Sequence, residues 1–180
     1  MLRIQTFDAR AGGNVIYKAL AHPLAAEAID RLYARLEGPV ALYDHDGIAD
    51  ALVAMYPGTF DTLLVHDVSA VGEKRGGLTA QALTDLPTTG ARTLLVAAFD
   101  AARIVARIAH MLPPDATVLT LDEVRLPDGL LTSRSRYLDK LNFATNFAFF
   151  RDADGLHTRV VSANYWASYG ATQVRLWLRL

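Results

Sequence analysis

The chain has 180 residues, 52% of them hydrophobic and 21% charged, which suits one globular domain with room for a small appendage and excludes a disordered tail. Eighteen Lys+Arg against 19 Asp+Glu leave a formal net charge of −1, so the basic excess behind non-specific phosphate-backbone binding is missing and no nucleic-acid partner is expected. With no cysteine there is no disulfide framework, thiolate metal site or catalytic thiol. Met1–Gln5 lacks a signal-type apolar core and Asp or Arg interrupts the apolar runs, so the reading is a soluble cytoplasmic protein with no membrane partner.

Apolar side chains recur at helical spacing over residues 14–36 (Val15, Ile16, Ala19, Leu20, then Ala25, Ala28, Ile29, Leu32 and Leu36), with Pro23 dividing two helical pieces and Asn14 capping the first. Residues 1–37 are expected as a helical arm. The string Lys18–Leu24 resembles the opening helix of small winged-helix repressors, but such a domain needs a basic recognition helix next. The chain goes instead to Gly38-Pro39 and an apolar run. Four short apolar runs without polar alternation, Val40–Tyr43, Thr62–His66, Thr93–Ala98 and Thr117–Leu121, predict parallel strands covered on both faces. Helices are expected at Ile48–Tyr56 and Ala101–Leu112, with a weaker one near Ala80–Thr84, closed by Pro57, Pro113 and Pro87. Residues 38–125 therefore read as an α/β unit, a small Rossmann-like parallel sheet with helices on either side.

After Arg125 the period changes. Residues 142–150, 156–166 and 173–180 are rich in aromatic and β-branched side chains, and Val174, Leu176, Leu178 and Leu180 alternate with Gln173, Arg175, Trp177 and Arg179. Residues 126–180 are thus expected as an antiparallel β-meander with turns at Arg151–Gly155 and Ser168–Ala171. So few strands cannot bury two faces, so the meander must pack on the α/β unit, on another copy in a homo-oligomer, or on residues of a larger β-domain beyond Leu180. The aromatic group Asn164, Tyr165, Trp166, Tyr169 and Trp177 reads as core packing or a subunit interface.

In an open parallel sheet, ligands bind beyond the carboxyl ends of the strands. Every strand here ends in acid: Asp44-His45-Asp46-Gly47, His66-Asp67, Phe99-Asp100 and Asp122-Glu123. Asp46 and Asp100 stand where helix caps are expected. Tyr43–Leu52 resembles the strand–turn–helix opening of Rossmann-like domains, with Asp44 and Asp46 at the places of the first two glycines, then Gly47, and Ala49 as the small third residue. Carboxylates there would repel a pyrophosphate and fill its space. His66-Asp67 follows about twenty residues on, where an acid commonly meets a ribose, and leads into Val71–Leu78 and Ala82–Pro87.

Over residues 38–125 this succession resembles the N-terminal nucleotide-sugar-binding domain of bacterial sugar acyltransferases, and the Rossmann-type C-terminal domain of sugar methyltransferases. The catalytic β-helix repeats of those acyltransferases are missing from the sequence, so no catalytic residue carries over. The resemblance implies a non-catalytic or accessory protein of sugar or cell-surface polysaccharide metabolism that binds a nucleotide or nucleotide-sugar. The candidate binding residues are Asp44, His45, Asp46, Gly47, His66, Asp67, Gly72, Lys74, Arg75, Gly76, Gly77 and Asp100. Two alternatives stand beside it. Asp44, His45, Asp46, His66 and Asp67 could form an oxygen-rich metal site for a phosphate-ester hydrolase, or the chain could be a structural or oligomerisation module. No Gly-x-Ser-x-Gly elbow occurs, and Asp152–Gly155 lacks the remaining ligands of a calcium loop.

Overall fold

The structure is a computed structural model describing residues 15–143 together with Gly170 and Thr172. Two compact units are distinguished, Met1–Phe143 and Ala144–Leu180. The expected meander strands, their turns and the Asn14 cap lie outside the described residues, apart from Asn142, Phe143 and Gly170, which sit in turns.

The apolar runs at Val40–Tyr43 (β1), Thr62–Val65 (β2), Thr93–Val96 (β5) and Thr117–Thr120 (β6) form strands, joined by Lys74–Arg75 (β3) and Leu78–Ala82 (β4). The sheet order is β3-β4-β2-β1-β5-β6. β3 and β4 pair antiparallel, and every other pair is parallel. The chain is α/β. Leaving out the short β3, the parallel strands follow the doubly wound order, running one way from β1 through β2 to β4 and the other way through β5 to β6. The point where the direction reverses lies between β1 and β5.

Side chains alternate across this sheet as the pleat requires. Val40, Leu42, Leu63, Val65 and Leu95 face one layer, while Ala41, Tyr43, Leu64, Leu94 and Val96 face the other. Helices Val15–Leu20 (α1), Pro23–Tyr33 (α2) and Ala49–Met55 (α3) cover the first face through Ile16, Leu20, Ile29, Leu32 and Leu52. Helix Ala102–Ile108 (α4) and the 3-10 turn Leu83–Thr88 cover the second through Ile108 and Leu86. The N-terminal helices α1 and α2 thus contribute to this core layer.

Two expectations need correction. The helix expected near Ala80–Thr84 is instead strand β4, whose centre, Ala80, pairs with Leu63 of β2, followed by the 3-10 turn. Alanine favours helix locally, but the open edge of β2 supplies a ladder that outweighs this preference. Residues 126–143, expected to open the meander, form a 3-10 turn at Asp128–Leu130 and further turns whose Leu126, Leu131, Tyr137 and Phe143 pack into the core of the first face. The Asn142 side chain holds this stretch together: its Oδ1 accepts from Ser133 N at 2.7 Å, and its Nδ2 donates to the carbonyls of Ser133, Arg136 and Tyr137. Elsewhere the elements are slightly shorter than expected, and the tail of Ala101–Leu112 tightens to 3-10 at Ala109–Met111.

Candidate functional site

The carboxyl ends of the parallel strands form one rim, and the end of β1 organises its first half. Asp44 directly follows the strand, and its side chain is fully buried. Its Oδ1 accepts from Ile48 N at 2.7 Å and Ala49 N at 3.2 Å, while Oδ2 receives Arg75 Nη1 at 3.3 Å. The cap of α3 is therefore Asp44 and not Asp46. Gly47 turns the chain with φ +70°, a conformation costly for a side-chain-bearing residue, and this sends the backbone N–H groups of Ile48 and Ala49 back over Asp44.

Asp46 instead accepts from His45, whose Nδ1 lies 2.9 Å from Oδ1. The β1/β2 register pairs Tyr43 with Leu64, so two residues further on His45 stands beside His66. Their rings lie 4.9 Å apart at 31°, and the Tyr43 ring meets both nearly edge-on. The Tyr43 hydroxyl is 3.2 Å from His66 Nδ1. Burial, then the Asp46 carboxylate, push the Tyr43 phenol above its ordinary value, against an opposing pull from Arg107, so it keeps its proton.

Asp67 turns onto its own loop, where Oδ1 accepts from Ser69 N at 2.9 Å and Ser69 Oγ at 2.7 Å. These bonds, the hydroxyl first, hold its carboxyl below the usual range. The β3–β4 hairpin brings Arg75 to Asp44 and Glu73, with Glu73 Oε2 accepting at 2.8 Å, and Gly76 N donates to Asp50. Gly72, Gly76 and Gly77 all have positive φ. Hydrogen bonding to Glu73, then to Asp44, raises the Arg75 value further and keeps the guanidinium charged. Lys74 is exposed on the same hairpin.

At the second half of the rim, Asp100 adopts φ +53°, an uncommon conformation for a non-glycine residue. It does not cap α4. Asp122 after β6 instead holds the turn leading into α4, accepting from Asp100 N at 2.6 Å and Ala101 N at 2.8 Å. Arg125 bonds Asp100 at 2.6 Å and lies 4.6 Å above the ring centre of the buried Tyr137. Tyr137 packs on Phe99, and its hydroxyl accepts from Leu126 N at 3.1 Å.

Sequence reasoning missed Arg125 and Tyr137, which meet Asp100 and Phe99 only in the fold; Tyr43, as the last residue of a strand, carried a usable signal. Of the expected site residues, the structure brings Asp44, His45, Asp46, Gly47, His66 and Arg75 into one neighbourhood of linked contacts, whereas the Asp100 contacts belong to the second half. The expected metal set does not converge: among the described residues, no three His, Asp or Glu are grouped so that they could hold a metal ion. The physical reason is that Asp44 is spent on backbone N–H groups and Arg75, Asp46 on His45, and Asp67 on Ser69. Among the described residues, no helix is long and apolar enough to cross a membrane.

No family model and no curated protein matches this chain.

Proposed function

We propose that this α/β unit is a non-catalytic or accessory binding protein of cytoplasmic sugar or cell-surface polysaccharide metabolism, taking a nucleotide or nucleotide-sugar at the β1/β2 half of the rim. The observation that carries the reading is the doubly wound strand order, which sets the Asp44–Gly47 turn beside the point where ligands of such sheets bind. The exposed side of this half offers His45, Gly47, His66 and the glycine-bearing hairpin around Arg75. A Cβ at Gly47 would meet only Arg75 Nη1, at 3.9 Å, so the surface over the turn is open to a ligand. The usual pyrophosphate seat at the start of α3 is filled by Asp44, and the ligand in this reading lies over the turn rather than in that seat.

The test is thermal unfolding against UDP- and CDP-sugars, NAD(H) and NADP(H), followed by amide chemical-shift mapping of the ligand that raises the midpoint. A saturable rise is expected, with the largest shifts at His45, Gly47, His66 and Arg75. No rise with any compound, or shifts confined to Asp100–Arg125, would overturn the proposal.

A further inference from the structure

On the rim, Asp44 accepts from Ile48 N and Ala49 N at the start of α3, and Asp122 accepts from Asp100 N and Ala101 N just before α4. Both rim arginines are satisfied too, Arg75 by Asp44 and Glu73, Arg125 by Asp100 and Asp122. A carboxylate beside each helix start and acids on both arginines disfavour an incoming phosphate at the devices that usually hold one on such a sheet. Besides the exposed Lys74 of the hairpin, the imidazole pair remains. His66 is exposed and His45 partly so, and each has its Nδ1 tied to an oxygen, on Asp46 or Tyr43. The tie fixes each ring and leaves Nε2 as the nitrogen able to meet a ligand.

We infer that His45 and His66 together bind the phosphate of the ligand as a proton-linked anion site, each donating Nε2–H to a phosphoryl oxygen. The inference rests on the nucleotide reading above and specifies how that ligand is recognised. Two imidazolium rings 4.9 Å apart would repel one another. A diphosphate between them turns the repulsion into attraction, and ligand and proton bind cooperatively. The other charged groups acting on the cluster are Asp46 on the same turn, Asp67 after β2, Arg75 from the hairpin, which acts on Asp67, and Arg107 from α4, which acts on Tyr43. Imidazole is the side chain whose ordinary titration falls between pH 5 and 8, so the pH dependence in that interval reports on the pair. The Tyr43 hydroxyl suits either state of His66, since it donates to a bare Nδ1 and accepts from a protonated one.

The experiment is calorimetric titration with UDP-glucose, CDP-glucose and NAD from pH 8 to pH 5.5, where the diphosphate diester of each probe stays fully ionised. Affinity for at least one probe is expected to rise by roughly tenfold or more as pH falls, with a binding heat that depends on the buffer because protons are taken up. His45→Gln and His66→Gln should each flatten the profile, and thermal unfolding verifies that these surface variants fold. A flat profile unchanged in both variants overturns the anion site and leaves the nucleotide reading standing. Affinity that rises with pH, as expected for a cation held on neutral imidazoles, also overturns it. No binding of any probe at any pH overturns both readings.

Discussion

The two halves of the rim use the same parts, an aspartate over a helix start and an arginine bridging acids, but assemble them differently. At β1, Asp44 caps the helix of its own turn and is fully buried, with Arg75 arriving from a hairpin 31 residues away. At β5, the turn into the helix is held from the neighbouring strand, because Asp122 reaches the N–H groups of Asp100 and Ala101 while its own side chain stays partly exposed. The second half is then closed by Tyr137 under Arg125, whereas the first leaves two imidazoles and a glycine turn facing outward. The difference teaches that similar acids at strand ends are used differently: Asp44 is buried within its own turn, while Asp122 ties two strand ends together at a partly exposed position.

The sharpest way to break this comparison is to remove each of these two acids. Asp44→Ala loses two N–H bonds and the buried partner of Arg75, and is expected to destabilise the protein by about 3 kcal/mol. Asp122→Ala, at a partly exposed position, is expected to cost about 1–2 kcal/mol. Urea unfolding of both variants measures the gap, and equal losses would show that burial does not separate the two halves. Tyr137→Phe keeps the packing on Phe99 but leaves the Leu126 N–H without its acceptor, for an expected loss of about 1 kcal/mol by the same measurement. A neutral result would mean that the second half is held by ring packing alone.

How much of this was legible in the sequence depended on the range of the interaction. Val40–Tyr43 and Thr93–Val96 were readable as strands because both faces of the sheet are covered and the runs are uniformly apolar. The helix expected near Ala80–Thr84 is strand as far as Ala82, because Ala80 and its neighbours take their identity from pairing with β2, which local propensity does not contain. The rim acids were visible, but the choice of Asp44 over Asp46 as the cap is made by the direction of the turn at Gly47. His45 and His66 were both named, yet their contact follows from the Tyr43–Leu64 register, which fixes the pair only once β1 and β2 are known to be neighbours. Arg125 on Tyr137 had no local signal, since one residue follows β6 and the other sits in the returning segment.

The smallest expected effect bears on whether the open half is organised around its histidines or within its own loops. Asp67 is held below the usual carboxylate range mainly by the Ser69 hydroxyl and N–H, with smaller contributions from the charges of His66 and Arg75. A depressed carboxyl contributes stability that is present above its unfolded value and lost as pH falls through the folded one, so any effect of this group belongs to the acid limb alone. Ser69→Ala should move the Asp67 titration upward, toward the ordinary carboxylate value, whereas His66→Gln should move it less. Side-chain carboxyl NMR titration reads both. If His66→Gln produced the larger shift, Asp67 would belong electrostatically to the imidazole pair, and the anion site would have to include a carboxylate that opposes it. If Ser69→Ala dominates, the Asp67 loop is a self-contained turn beside the pair, and the two imidazoles are free to answer to a phosphate.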